Sequence, residues 1–406
     1  MRVLLSTIGS RGEVQPVVAL ASRLAAQGHQ VRVCAPPDFR DRVESFGIPC
    51  TPIGPEVRST ATARPRAAPV PPTPGQLREL AAGTVATQFA TVTAAAEGCD
   101  LVLGCGALQI AARSIAESRG IPYVYAAFCP TTLPSPHHAP PPLTLAPVDV
   151  DADNHTLWER DALRWNDSFG AALNEHRASA GLAPVTDVRS HVLTDRPLLA
   201  ADPTLGPWPE PADVSVSQTG AWILPDRSAL SPPVRAFLDA GEPPVYLGFG
   251  SMRAPRDAGR QVVLAARALG RRAIVSRGWA GLAPPDDGPD CLSVGDVNQQ
   301  ALFRRVAAVV HHGGAGTTTA AALAGVPQVV VPRMYDQFYW ARRVRDLGIG
   351  NAHPAADPTA DSLAAALRDV LRPEVAARAA TVADAVRTDG VESAARRLTA
   401  EVVHVS

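Results

Sequence analysis

The sequence predicts an α/β protein made of two Rossmann-like β/α/β halves facing each other across a cleft. Three observations carry that prediction. Short apolar runs alternate with segments of helical period from the first residues onward, as parallel strands with crossover helices require. The alternation stops in a stretch rich in Pro, Gly, Asp and Ser, Asp202–Pro233, and starts afresh at Pro244. A chain of 406 residues, 46% hydrophobic and 19% charged, is also long enough for two full cores. The expected division is a first half at 1–205, a linker at 206–233, a second half at 234–385 and a terminal segment at 386–406.

Bulk properties remove several classes of function. A formal net charge of −1 argues against nucleic acid or an anionic membrane as the main partner. The six cysteines show no CxxC and no His/Cys spacing suited to zinc, so reduced thiols at the ends of apolar runs are expected. The apolar run at the N-terminus is too short for a signal peptide before Arg11 and Glu13 intervene, and no stretch is fit to cross a bilayer. A cytoplasmic protein is the expectation.

Taken in order, Val3–Leu5 predicts a buried strand, Ser6–Glu13 a loop, and Val14–Ala26 a helix with Pro16 in its first turn and Gly28 as its stop. Val31–Ala35 completes a βαβ unit with a right-handed crossover. Helices are expected near Gln76–Ala95 and Ala107–Ser118, and strands at Leu101–Leu103 and Tyr123–Ala126. The Pro-rich segments Pro52–Pro74 and Pro130–Pro147 predict surface loops able to shape a binding cleft. One helix over Leu157–Ala180 would carry Trp158, Trp165 and Phe169 on a shared face. Such aromatics are usually core, but Trp165, like Phe128 after the strand at Tyr123, is a candidate to line an acceptor pocket. In the second half, strand Val245–Phe249 leads to Gly250-Ser251, helix Gly259–Leu269 to strand Ala273–Ser276, and Cys291–Val294 to the segment Gly295–Asn298. Ala365–Val402 is helical by periodicity.

Chemistry concentrates at two places. Val306–Pro332 contains no Asp, Glu, Lys or Arg and parses as buried strand, glycine-rich turn, helix and buried strand. The free N–H groups and positive dipole end of that helix point into the turn Gly313–Thr317, a ready site for phosphate. An ordinary tight turn would also favour Gly, but two histidines, His311 and His312, and two hydroxyls, Thr317 and Thr318, stand at the same place. The second place is the loop Gly9–Gly12 at the carboxyl end of the first strand, where open α/β sheets bind ligands. It lacks the GxGxxG dinucleotide pattern. Glu13 opens the next helix, either as a complement to the helix dipole or as a catalytic carboxylate. A carboxylate facing a bound diphosphate suits transfer of an activated group onto a hydroxyl, with Glu13 and Ser10 on one side and Ser251 and Asp336 on the other. Backbone donors and the helix dipole would hold the diphosphate, so neither metal nor cofactor is expected.

The chain resembles the glycosyltransferases of the vancomycin group of antibiotics, within the inverting family shared with macrolide and plant glucosyltransferases. The resemblance runs nearly end to end through MRVLLSTIGSRGEVQP, AAEGCD, GIPYVY, the tract PPPL, QTGAWILPD, PPVYLGFGS, SRGWA, GDVNQQALFRRVAAVVHHGGAGTTT and DQFYWARRVRDLGIG. It implies the two-domain GT-B fold, with acceptor bound to the first half, a UDP- or dTDP-sugar to the second, and a terminal helix returning to the first half. Carried over by motif, Glu13 stands where this family places a general base, usually Asp in the antibiotic group and His in the plant branch. His312 matches the phosphate-contacting histidine, Gly314, Ala315, Gly316 and Thr317 the diphosphate turn, and Asp336 with Gln337 the pair contacting sugar hydroxyls. Ser251, Arg277, Trp279 (as a stacking partner for the base) and the backbone of Val297 complete the expected donor site. The acceptor implied is a hydrophobic or peptide aglycone. A sugar-nucleotide epimerase of similar architecture and a non-catalytic sugar-nucleotide-binding auxiliary are the alternatives. The DVDAD run at Asp149–Asp153 has the form of a metal-binding DxD but lies in a Pro-rich loop. It also fails as an EF-hand, with Asn154 and Arg160 at the positions needing Gly and Glu.

Overall fold

Near-continuous apolar runs need strands covered on both faces, which is where a parallel sheet flanked by helices puts them. Val3, Leu4 and Leu5 are fully buried, as are Val309 and Val310 in the second half. The structure is a computed structural model describing residues 1–59, 73–142, 152–212, 214–255, 257–354 and 357–403. It contains two parallel sheets. The first joins β1 (Arg2–Thr7), β2 (Gln30–Ala35), β3 (Cys50–Pro52), β4 (Leu101–Cys105), β5 (Tyr123–Ala127), β6 (Leu198–Leu199) and β7 (Ser217–Gln218) in the order β3-β2-β1-β4-β5-β6-β7. The second joins β8 (Val245–Gly248), β9 (Ala273–Ser276), β10 (Cys291–Val294), β11 (Ala308–His311), β12 (Gln328–Val330) and β13 (Gly350–Ala352) in the order β10-β9-β8-β11-β12-β13. Strand order reverses between β1 and β4 in one sheet and between β8 and β11 in the other. Crevices therefore open at the carboxyl ends of those two pairs, the places where doubly wound sheets hold ligands.

Several sequence expectations need correction. The first helix spans Arg11–Ala26, not Val14–Ala26, because Ser10 caps it. Pro16 therefore lies beyond the first turn, where its missing N–H removes a helical bond to Gly12. The helix expected at Ala107 begins at Ala112. The single helix over Leu157–Ala180 is two, Asn154–Trp165 and Ala171–Ser179, joined by a wide π-type turn in which Asn166 accepts the Val188 N–H at 2.9 Å. Trp165 and Phe169 meet at 5.9 Å, whereas Trp158 is buried beneath Arg189 and donates to His138 O. The terminal helical region is three helices, Ala360–Val370, Pro373–Ala385 and Gly390–Val403, broken at Pro373 and Gly390. Ser217–Gln218, inside the stretch expected as linker, is the edge strand of the first sheet.

The described part of the second Pro-rich segment, up to Pro142, is not a plain surface loop. Pro130, Thr131, Leu133 and Ser135 are buried, and His138 packs edge-on against Trp158 and Trp208. Most of Pro52–Pro74, and Asp149 and Asp151, lie outside the described residues; Asp153 caps the helix at Asn154. All six cysteines are free thiols.

One apolar cluster crosses between the halves, joining Tyr125, Leu133 and Val192 to Trp340, Val344 and Val382. The last helix packs Ala394, Ala395 and Leu398 into the core of the first half beside Leu20 and Leu24, and Glu392 pairs with Arg23. No described helix is long and apolar enough to cross a membrane.

Candidate active site

The loop after β1 brings Glu13 into the β1/β4 crevice. Ser10 and Glu13 form a capping box: the backbone N–H and the hydroxyl of Ser10 both donate to Glu13 Oε2, each at 2.7 Å. The carboxylate folds back so closely over Gly9 that a Cβ there would sit 2.7 Å from Glu13 Cδ. Both Ser10 donors thus share one carboxylate oxygen, Oε2. Burial raises the carboxyl above its ordinary range, while the donors from Ser10 hold it down.

The β8/β11 crevice holds the glycine-rich turn. Gly313 takes φ +91°, the left-handed region, and its N–H donates to His311 Nδ1 at 3.1 Å. That bond fixes the His311 tautomer, so its Nε2–H donates to Gln328 Oε1 at 2.9 Å. His311 is fully buried and belongs to the core of the turn, not to the cleft. His312 lies over Gly314, where a Cβ would approach Nε2 to 2.6 Å. Burial lowers His312 to about 4, so at neutral pH it offers a hydrogen bond and no charge. Its Nδ1 is buried without a partner among the described residues.

The helix Ala315–Leu323 has no side-chain cap. Thr318 and Thr319 turn their hydroxyls back to Gly314 O and Ala315 O, at 3.0 and 2.8 Å. Thr318 is therefore not a hydroxyl of the turn. The N–H groups of Ala315, Gly316 and Thr317 remain as the open positive end of the helix.

Asp336 and Gln337 follow β12. Trp340 Nε1 donates to Asp336 Oδ2 at 3.0 Å. Gln337 Oε1 accepts the N–H of Arg333 at 2.8 Å, holding its own loop in place. Asp336 is pushed up to about 7 by burial and then by the charge of Glu13, so the two carboxylates act on each other across the cleft.

The two halves touch here. Arg11 N–H, in the first turn of the helix bearing Glu13, donates to Ser251 Oγ at 3.2 Å, and the Arg11 guanidinium pairs with Asp296 at 3.1 Å. Ser251 is buried and held by this contact. Trp279 stacks on Phe39 of the opposite half at 5.5 Å, so one ring face is already taken. Gly278 permits that placement, since a Cβ there would lie 2.5 Å from Gly250 O. Arg277 is exposed beside Gly295, and Val297 lines a small interdomain cavity with Arg11, Arg42 and Asp226. Phe128 packs edge-on against Trp222 at 5.9 Å at the end of β5, whereas Trp165 lies in the cluster that crosses the halves. Arg267 bridges Asp286 and Asp290, which with Cys291 form a compact acidic group away from both crevices.

Sequence reasoning named the loop Gly9–Gly12 and the segment Gly295–Asn298 but gave Gly9, Arg11 and Asp296 no individual role, and it gave Tyr335 none. The spacing of Ser10 and Glu13 is itself a capping-box signature and would have shown the bond between them. Nothing in the sequence signals the contacts of Arg11 or Tyr335 with the other half.

Residues 3–135 match the glycosyltransferase family 28 N-terminal domain, and residues 277–404 match the erythromycin biosynthesis protein CIII-like C-terminal domain. The glycosyltransferase GtfE of Amycolatopsis orientalis is 53% identical over 405 residues, covering 99% of this chain and 98% of that protein. This chain belongs to the vancomycin-group glycosyltransferases. Other group members from the same organism are similar over most of their length. The vancomycin aglycone glucosyltransferase is 52% identical, covering 98% of this chain and 97% of its own, and the dTDP-epi-vancosaminyltransferase 48%, covering 94% and 93%. Among solved structures, the glycotransferase of kitacinnamycin superposes with a TM-score of 0.73 at 22% identity, covering 98% of each chain. VinC in complex with dTDP gives 0.68 at 22% identity, covering 100% of this chain and 99% of its own. The fold is GT-B, and the protein is a glycosyltransferase.

Proposed function

We propose that this glycosyltransferase moves a hexose from a UDP- or dTDP-sugar to a hydroxyl of a glycopeptide-type aglycone, with inversion at the anomeric carbon. One observation carries the reading. Arg11 N–H, in the helix turn that bears Glu13 at the switch point of the first sheet, bonds Ser251 Oγ at the switch point of the second, whose helix Ala315–Leu323 has no side-chain cap. In this account Glu13 Oε1 takes the proton of the acceptor hydroxyl as its oxygen attacks the anomeric carbon. The bond from that carbon to the diphosphate oxygen breaks in the same step, and no covalent enzyme intermediate forms. The leaving diphosphate settles on the N–H groups of Ala315, Gly316 and Thr317, with His312 as a neutral donor. Asp336 and Gln337 hold sugar hydroxyls, and Trp279 with the backbone of Val297 receives the nucleobase. No metal has a part in these steps.

Glucose is the donor we favour, since a relative 52% identical is named an aglycone glucosyltransferase and the Asp336-Gln337 pair suits a fully hydroxylated hexose. Mass spectrometry of the aglycone, with NMR of the recovered sugar nucleotide, after UDP- and dTDP-hexoses are incubated with vancomycin aglycone tests the proposal. A glycosylated aglycone is expected; an isomerised sugar nucleotide in its place would move the assignment to epimerisation.

A further inference from the structure

Tyr335 is a bulky aromatic residue at φ +55°, where such side chains are genuine outliers. Strain of that kind persists where the surroundings over-determine it. Here they do. On one side Gln337 Oε1 accepts the N–H groups of Arg333 and Met334, at 2.8 and 3.3 Å, and Arg333 pairs with Asp357. On the other, the Tyr335 N–H leaves its own half and donates to Pro142 O at 2.9 Å, at the end of the buried Pro-rich loop of the first half.

Burial pushes the Tyr335 phenol well above the ordinary range, and Tyr125, Asp336, Cys129 and Glu13 all add to the shift. Tyr125 lies within β5 and Cys129 just beyond its end in the first half, and both are buried. A half-buried aromatic residue of the donor half is thus tied by its backbone to the Pro-rich loop of the first half, one position before Asp336.

We propose that Tyr335 is a specificity-determining wall of the acceptor site, limiting the bulk that an acceptor can present next to its reacting hydroxyl. The inference rests on the transferase reading above. Its test compares kcat/KM for vancomycin aglycone and for the same aglycone enlarged by a methyl group beside the hydroxyl that receives the sugar. Wild type should reject the larger compound, and Tyr335→Ala should raise the ratio of larger to smaller by about tenfold, the scale of one methyl group in a tight pocket. Tyr335→Gly, which adopts the left-handed backbone freely, should do the same, and Tyr335→Phe should keep the wild-type ratio. Nucleoside diphosphate affinity should not change in any of the three. An unaltered ratio in active Tyr335→Ala, or an equal fall with both acceptors, overturns the inference and leaves the transferase reading standing. Wild-type enzyme that glycosylates neither compound overturns that reading, and this inference with it.

Discussion

Both donors of Ser10, its backbone N–H and its hydroxyl, end on one oxygen of Glu13, Oε2, at 2.7 Å each. The carboxylate that opens the first helix is therefore anchored by that helix's own cap through Oε2. Glu is one methylene longer than the Asp usual in this group, and the fold over Gly9 takes up that length.

Ser10→Ala removes the hydroxyl donor and the cap. Helix-cap loss costs about 1 kcal/mol of stability. Both Ser10 donors favour the ionised form of Glu13, so losing one raises its pKa further. The acid limb of kcat should therefore move to higher pH. A pH–rate profile checks it, and a limb that stays put or moves down would refute the coupling.

Asp336 should make stability depend on pH. Its folded-state pKa is about 7 against 3.8 for an ordinary Asp, so between those values the folded chain holds a proton that the unfolded chain has released. The contribution is fully present below about pH 4, declines as pH rises to 7, and amounts to a few kcal/mol, on the order expected for such a shift. Denaturant titrations of Asp336→Asn should lose that slope between pH 4 and 7. Because the ionised carboxylate accepts sugar hydroxyls better, donor KM in wild type should fall as pH rises through 7.

His312→Ala should weaken nucleoside diphosphate binding about tenfold or more, the scale of one hydrogen bond to a charged group. Calorimetry measures it. His311→Ala should instead lower the melting temperature, since His311 ties Gly313 to Gln328 inside the core. Equal nucleotide affinities for His312→Ala and wild type would remove the imidazole from the anion site.

Much of this architecture was legible because local pattern and global fold agree. Apolar runs such as Val3–Leu5 and Val245–Phe249 lie at the centres of their sheets, and the stretch from Val306 shows strand, turn and helix in its letters. Three short strands of the first sheet were not legible. Cys50–Pro52, Leu198–Leu199 and Ser217–Gln218 are two or three residues long, too short to show a period. Contacts across the cleft were equally hidden. The stacking of Phe39 on Trp279 and the bond from Tyr335 to Pro142 join residues about two hundred positions apart, and no local rule reaches that far. Side-chain roles split the same way. A pair of histidines is visible in the sequence, but only burial shows that His311 serves the core and His312 the turn.

The most direct test of the account is Glu13→Gln. An amide at this position can still accept the Ser10 donors and keep the capping box, so helix and fold survive while the base is lost. Turnover measured with saturating nucleotide sugar and aglycone should drop at least ~10²-fold, with nucleoside diphosphate affinity unchanged. Near-normal turnover in that variant would contradict the account.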